Sequence, residues 1–176
     1  MMKRLLRPRV FLIIVLVALC FLLILTLYAE EMAKVLDVTD GDTLTIHYNG
    51  KTEPIRLIGI DAPESTMNRK AEADVMRTGE SLLTITSKGI DAKRFVERIV
   101  KKGDMIAVAF DVQTRDKDGQ LLGYVYLPDG RMLNEEIVRA GYAKVITISP
   151  NVKYNERLSE AYKEAKKYRR GLWKSP

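Results

Sequence analysis

The feature that most restricts the fold of this chain is an uncharged, apolar stretch of eighteen residues, 10–27, near the N-terminus. It follows a segment, 1–9, that holds four basic and no acidic residues, and acidic residues return at Glu30. A helix of this length rises about 27 Å, close to the roughly 30 Å hydrocarbon core of a bilayer. We therefore predict one transmembrane or signal helix over residues 10–28, followed by a separate domain over residues 30–176.

Two fates of this segment stay open, an uncleaved anchor and a cleaved secretory signal. The apolar region of a signal runs for roughly 7–15 residues and ends in an Ala-x-Ala-like site. Here the run is longer, and Leu27-Tyr28-Ala29 has a large residue at the outer position, so we favour the anchor. Basic residues before the span and acidic residues after it predict that the domain lies on the extracytoplasmic side. Cleavage would instead release it as a secreted protein.

The positive charge of the chain belongs only in part to the predicted domain. The formal net charge is +6, but four of the 29 basic residues lie in segment 1–9, which leaves 25 basic and 23 acidic residues. A mildly basic domain is compatible with a polyanionic ligand without demonstrating one. The single cysteine, Cys20, lies in the apolar stretch, which excludes an intrachain disulfide and a thiolate metal site.

Five runs of alternating or β-branched residues predict strands, and helical spacing predicts three helices. The pair Asn49-Gly50 predicts a tight turn between the second and third strands. Five strands interrupted by helices fit an α+β fold, a closed five-stranded β-barrel of the OB type with packed helices. We interpret the polar segment 65–88 as a surface insertion and expect Asn134 to cap the second helix. The strands are predicted at Ala33–Val38, Thr43–Tyr48, Pro54–Ile60, Met105–Phe110 and Leu121–Leu127, and the helices at Ile90–Lys101, Asn134–Ala140 and Asn155–Arg170.

Two acidic motifs flank the predicted hairpin. Asp42 lies at the start of the second strand, and Asp61 lies at the end of the third, three residues before Glu64. Antiparallel pairing makes the start of one strand adjacent to the end of the other, so Asp42 and Asp61 are expected to be neighbours. Crowded carboxylates repel each other unless a cation lies among them, and hard cations bind carboxylate and carbonyl oxygens.

A basic residue, Arg56, lies five residues before Asp61 on the same predicted strand. An odd separation puts the two side chains on opposite faces of a flat strand. Their convergence therefore requires a bulge or a strong local twist.

These motifs resemble those of the staphylococcal nuclease (thermonuclease) family. The resemblance covers nearly all of residues 33–173 apart from segment 65–88. It implies an OB-type barrel and a Ca²⁺-dependent hydrolase that cleaves single-stranded DNA or RNA to products with 3′-phosphates. A monomer is expected, and no protein partner is indicated. The segments that carry the resemblance are Thr39–Thr43, Ile55–Glu64, Arg115–Gly119, Gly123–Tyr126, Asn134–Val145 and Gly171–Trp173.

Carried over residue by residue, the resemblance assigns the Ca²⁺ ligands to Asp42, Asp61 and the backbone carbonyl of Ala62. Glu64 would orient or deprotonate the attacking water, and Arg56 would bind the phosphate. The metal ion and Arg56 would together offset the charge that develops on the phosphoryl oxygens.

The chain departs from the family pattern on the opposite turn. Gln120 stands where the family has a second catalytic arginine, and Asp118 stands where its better-known members have a tyrosine. The tyrosines that flank the nucleotide base in the family align with Thr147 and Ser149. Losing one cation or donor from such a site commonly costs on the order of 10²–10⁵ in rate.

Two hypotheses from different classes therefore remain. The first is a Ca²⁺-dependent nuclease, whose activity is reduced if the missing arginine limits the rate of cleavage. The second is a nucleic-acid-binding module that keeps the fold and has weak or no catalysis. Arg115 and Lys117 lie in the same turn as Gln120 and are the available substitutes for the missing charge.

Overall fold

The computed structural model describes residues 14–17 and 31–174. It divides the chain into two units, Met1–Glu30 and Glu31–Pro176. Of the predicted span 10–28, only residues 14–17 are described, as one helical turn, and the remainder of that span and segment 1–9 lie outside the described residues. Among the residues that are described, no helix has the length and apolar character needed to cross a membrane.

The described part of the second unit alternates between strands and helices. The elements, in chain order, are β1 (Glu31–Asp40), β2 (Thr43–Tyr48), β3 (Lys51–Leu57), β4 (Ile60–Asp61), α1 (Arg69–Thr78), α2 (Leu82–Ile99), β5 (Met105–Ala109), β6 (Leu121–Tyr126), α3 (Leu133–Arg139), β7 (Lys144–Val145), α4 (Asn155–Lys167) and a 3₁₀ turn (Gly171–Trp173).

Five of these strands close into a barrel in the order β1-β2-β3-β6-β5, which confirms the predicted five-stranded barrel. Strand β1 pairs with both β2 and β5 in antiparallel fashion, and β3 pairs with β6 in parallel. Closure leaves no free edge around the barrel. The helices cover its surface, with α2 against β1 and α3 against β6.

The β2–β3 hairpin follows from its turn and its alternation. Asn49 and Gly50 both have positive φ, 46° and 77°, as a two-residue hairpin turn requires. The alternate residues Leu44 and Ile46 are fully buried, and each such side chain contributes roughly 1.5–3 kcal/mol on burial. The resulting register pairs Thr43 with Arg56, so the residue before Thr43 lies beside the end of β3.

The third strand ends earlier than predicted. It stops at Leu57 rather than Ile60, and the chain turns at Gly59, whose φ is +82°. Two residues then resume an extended conformation as β4, which pairs with β7 in a separate two-stranded sheet. Strands of two residues are too short to show a periodic pattern, and the sequence did not predict them.

The segment 65–88, which the sequence predicts as a surface insertion, is helical over most of its length. It forms α1 and the first turns of α2, so the helix predicted from Ile90 begins at Leu82. The side chain of Ser81 accepts a hydrogen bond from Thr84 N and caps α2. Buried residues on one face of α2 pack against the barrel because they recur at helical spacing. These residues include Ala92 and Val96.

Asn134 does not cap a helix, so that prediction was wrong. Helix α3 begins at Leu133, and Asn134 is fully buried inside it. Its Oδ1 accepts a hydrogen bond from Val125 N at 3.0 Å, and its Nδ2 donates to the Ile58 carbonyl at 2.9 Å. The amide therefore ties β6 to the segment between β3 and β4, and it satisfies two backbone groups that would be costly to leave unpaired.

Candidate active site

The two acidic motifs meet at the guanidinium of Arg56. Arg56 Nη2 lies 3.2 Å from Asp42 Oδ2 and 3.3 Å from Asp61 Oδ1. Asp42 reaches this position because Thr43 pairs with Arg56 across the hairpin. Asp61 reaches it because the turn at Gly59 separates β3 from β4 and changes the direction of the following side chains. This break supplies the irregularity that the odd Arg56–Asp61 separation required.

Asp42 is a buried carboxylate, only 2% exposed. Its Oδ2 accepts a hydrogen bond from the backbone N–H of Ala62 at 3.0 Å, and its Oδ1 accepts one from Thr43 Oγ1 at 2.9 Å. A Cβ atom at Gly41 would lie 2.8 Å from the Cβ atoms of both Ala62 and Ala92. The close approach of these backbones therefore requires glycine at position 41, beside Asp42.

Glu64 is held by two side chains from the start of α1. Its Oε2 accepts a hydrogen bond from Asn68 Nδ2 at 2.5 Å, and its Oε1 accepts one from Lys70 Nζ at 2.6 Å. Burial disfavours the charged form, but these bonds outweigh it and lower the pKa of the Glu64 carboxyl below its ordinary value. Glu64 is therefore an anion at neutral pH.

Helix α2 packs directly against the backbone of the loop that carries Glu64. A Cβ atom at Gly89 would lie 2.1 Å from the carbonyl oxygen of Glu64 and 2.5 Å from the Ser65 nitrogen. The helix backbone and the loop backbone are thus in direct contact. Nothing in the sequence pattern at Gly89 indicated this contact.

Lys70 is a part of the site that sequence reasoning missed. Its Nζ lies 3.0 Å from Asp61 Oδ1, 3.0 Å from the Ala62 carbonyl oxygen and 2.6 Å from Glu64 Oε1. Burial opposes the charge of this ammonium, but Asp42, Glu64 and Asp61 raise the pKa of Lys70 above its ordinary value. The only sequence signal was a lysine six residues after Glu64, in a segment interpreted as an insertion.

A fourth carboxylate, Asp40, lies at the end of β1 and connects this strand with the loop after Glu64. Its Oδ1 accepts hydrogen bonds from the backbone N–H groups of Gly41 at 2.8 Å and Ser65 at 3.2 Å. Burial raises the pKa of Asp40, and these two bonds offset only part of that effect. Asp40 therefore fixes the loop after Glu64 and adds to the negative potential of the cluster.

The oxygens of this cluster fit a hard cation. Asp61 Oδ1 and the Ala62 carbonyl oxygen already converge on one cationic group, the Lys70 ammonium. Carboxylate and carbonyl oxygens are also the ligands that Ca²⁺ takes in proteins. Within residues 14–17 and 31–174, no three His, Cys, Asp or Glu side chains are arranged to hold a metal ion. The Ala62 carbonyl oxygen is a further hard donor beside the Asp61 carboxylate.

A mostly apolar cavity of about 320 Å³ opens beside Arg56. Ile146 and Ile148 line it, whereas Thr147 and Ser149 are exposed and do not. The lining also includes Leu57, Ile60, Lys117 and Leu122.

The two basic residues of the opposite turn have different surroundings. Arg115 Nη1 lies 2.6 Å from Glu53 Oε2 and 2.7 Å from the Gly119 carbonyl oxygen, so its charge is already paired. Lys117 lines the same cavity as Arg56. Of the two substitutes that the sequence offered for the arginine missing at Gln120, Lys117 is the one that shares a cavity with Arg56.

Comparison with known proteins gives one family and several relatives. Residues 54–175 match the family model described as staphylococcal nuclease homologue. The chain is 31% identical to the thermonuclease of Staphylococcus hyicus over 82% of its own length and 76% of that protein. It is 32% identical to the thermonuclease of Staphylococcus intermedius, with 77% of the chain and 72% of the relative covered. It is also 32% identical to the endonuclease YncB of Bacillus subtilis, with 84% and 66% covered.

Proposed function

The chain belongs to the staphylococcal nuclease family, and from this membership we propose that its barrel domain is a metal-dependent nuclease that hydrolyses DNA and RNA. One observation supports this most directly. Arg56 Nη2 lies within 3.3 Å of both Asp42 and Asp61 at the edge of an open cavity. A cation and paired carboxylates beside a cleft are the groups that phosphodiester hydrolysis requires.

The proposed metal ligands are the carboxylates of Asp42 and Asp61 and the carbonyl oxygen of Ala62, with Ca²⁺ as the ion. When bound, the ion would act as a Lewis acid that stabilises negative charge on the phosphoryl oxygens. The hard-oxygen chemistry of these ligands supports this choice.

Glu64 is proposed as the general base. Its lowered pKa keeps the carboxylate ionised at neutral pH, so it can accept a proton from a water molecule. The water oxygen then forms a bond to phosphorus as the bond from phosphorus to the 5′ oxygen breaks. The 5′ oxygen takes a proton from solvent, and the products are a 3′-phosphate and a free 5′-hydroxyl.

Arg56 is proposed to bind the phosphate that is attacked. Its planar guanidinium can donate two parallel hydrogen bonds to phosphate oxygens. Lys117 lines the same cavity and would contact the phosphate chain of the single-stranded substrate as a point charge.

The place of action is proposed from the N-terminal sequence alone. Residues 10–28 would anchor the chain in a membrane, or act as a signal that is removed. In either case the nuclease domain would work on the extracytoplasmic side.

A Ca²⁺-versus-chelator assay tests the proposed function. Full-length protein in mild detergent is incubated with single-stranded DNA and with RNA, and the product ends are analysed. We expect cleavage that requires Ca²⁺ and leaves 3′-phosphates. No cleavage above the chelator control at high enzyme concentration would overturn the proposal.

A binding module without turnover is the second candidate, and two observations favour it. Gln120 offers no charge at the arginine position, and Arg115 is paired with Glu53. Under this hypothesis nucleic acid binds in a salt-sensitive manner and is recovered intact after incubation with Ca²⁺.

A further inference from the structure

We propose that Lys70 is a built-in counter-ion of the acidic site, which occupies the position of the metal ion and must leave before a divalent cation can bind. The inference rests on the proposed Ca²⁺ site and adds to it a competition between that ion and a side chain of α1. It makes occupancy of the site depend on a movement of Lys70.

The contacts of the Lys70 ammonium group support this competition. An ammonium group has three N–H donors, and Lys70 Nζ has three oxygen neighbours in the acidic site, at 2.6–3.0 Å. Two of them, Asp61 Oδ1 and the Ala62 carbonyl oxygen, are proposed metal ligands, and the third belongs to the proposed base, Glu64. The ammonium therefore contacts the same oxygens that a metal ion would use.

Two cations cannot share these oxygens. Ca²⁺ binds its ligands at roughly 2.3–2.6 Å, so an ion on Asp61 and Ala62 would overlap with or closely approach the ammonium. Like charges at about 4 Å repel by several kcal/mol at the effective dielectric of a protein surface. Binding of the ion and retention of Lys70 are thus mutually exclusive.

Charge balance explains why Lys70 stays in the site without a metal ion. Four carboxylates meet here, those of Asp40, Asp42, Asp61 and Glu64, and Arg56 contacts only two of them. Among the described residues, removing Lys70 would leave Arg56 as the one basic side chain in contact with this cluster. Lys70 therefore stabilises the metal-free protein.

The position of Lys70 allows it to leave without unfolding its helix. It is the second residue of α1, and its side chain is 34% exposed. Asn68 caps the helix by accepting a hydrogen bond from Ala71 N at 2.9 Å and separately donates to Glu64 Oε2. When Lys70 swings into solvent, Asn68 still holds Glu64, and Glu64 Oε1 becomes free for a water molecule.

Competition lowers the apparent affinity for the metal ion. If the open state is populated at about 1–10%, the apparent dissociation constant rises by about tenfold to a hundredfold relative to a site without Lys70. The site would then load only at high Ca²⁺ concentration.

Calorimetric titration of Ca²⁺ tests this on full-length protein in detergent. The variants are Lys70→Gln and Lys70→Met, and the matched control is Arg69→Gln, which removes the same charge from the exposed neighbouring position of α1. We expect both Lys70 variants to bind Ca²⁺ at least about tenfold more tightly than wild type, with Arg69→Gln unchanged.

Thermal unfolding gives a second readout. In chelator, the Lys70 variants should melt at least about 2 °C below Arg69→Gln, and saturating Ca²⁺ should abolish this difference. Equal melting temperatures in chelator would contradict the counter-ion role.

The outcomes separate this inference from the proposed function. Tighter Ca²⁺ binding by the Lys70 variants supports the inference even if no protein cleaves nucleic acid, in which case only the nuclease activity fails. Equal or weaker binding by these variants overturns the inference, and Ca²⁺-dependent cleavage by wild type would leave the proposed function intact. Absence of Ca²⁺ binding in wild type and variants overturns both the metal site and the competition.

Discussion

The backbone N–H of Ala62 donates a hydrogen bond of 3.0 Å to the buried carboxylate of Asp42. This bond joins two motifs that lie twenty residues apart in the chain. It serves the fold and the site at once, because it holds the end of β4 against the start of β2 and fixes the Asp42 carboxylate that contacts Arg56. Changes at Asp42 should therefore affect both stability and metal binding.

The pair Asp42→Ala and Asp42→Asn separates these two effects. Both variants lose the negative charge and should lose Ca²⁺ binding, but only alanine leaves the buried Ala62 N–H without an acceptor. In chelator, we expect Asp42→Ala to be less stable than Asp42→Asn by about 1–3 kcal/mol in denaturant unfolding. Equal stabilities would show that the Asp42–Ala62 bond contributes nothing to the fold.

Gly89→Ala tests the contact between α2 and the loop of Glu64. Because the new Cβ would meet the Glu64 carbonyl oxygen at 2.1 Å, the loop or the helix must move. We expect a loss of roughly 1–3 kcal/mol in stability and a fall in kcat that exceeds the fall for Ser87→Ala, an exposed position of the same helix. Wild-type kcat and stability in Gly89→Ala would contradict the close packing.

Gln120→Arg tests whether the missing arginine limits turnover. Gln120 lies two residues before Leu122, which pairs with Arg56 across β3 and β6. A guanidinium at position 120 should raise kcat by about tenfold or more because it offsets transition-state charge. The control is Asp118→Asn, which makes the same change in net charge in the same turn without placing a cation at position 120. A similar gain in both variants would show that general charge, rather than the arginine position, is limiting.

The pH dependence of stability should report on Glu135, which is nearly buried. Burial raises the pKa of its carboxyl, but hydrogen bonds from Arg157 and Arg139 outweigh that effect and lower the pKa below the ordinary 4.5. A lowered pKa in the folded state gives stability that is present above the unfolded-state pKa and is lost as the pH falls through the folded-state value.

Glu135→Gln should therefore be less stable than wild type at neutral pH by about 1–3 kcal/mol, and the difference should shrink below about pH 4.5. The control is Glu160→Gln, at an exposed position of α4. Denaturant unfolding across this pH range measures both. A difference that stays constant with pH would contradict the assigned role of Glu135.

The barrel and the meeting of the acidic motifs were predictable because both follow from local patterns. Alternating burial in β2 and the Asn49-Gly50 turn determine the hairpin, and the hairpin determines that Asp42 approaches the end of β3. Hydrophobic periodicity and turn chemistry carry this information in a single sequence.

Other parts of the site depend on tertiary contacts that leave no local signal. Helix α1 is short and buries only Ala71, so its sequence resembles a polar loop, and the place of Lys70 could not be predicted. The amide of Asn134 looks like a helix cap in the sequence, but its partners lie in β6 and at Ile58. The strands β4 and β7 are too short for any period to show.

The most direct test of the account is the Ca²⁺-dependent cleavage rate of Glu64→Gln against Glu72→Gln on single-stranded DNA. Glu72 is an exposed acid of α1, so its variant removes the same charge outside the cluster. If Glu64 is the general base, Glu64→Gln should lower kcat by about 10² or more, and Glu72→Gln should keep the wild-type kcat. Wild-type kcat in Glu64→Gln would contradict the proposed site.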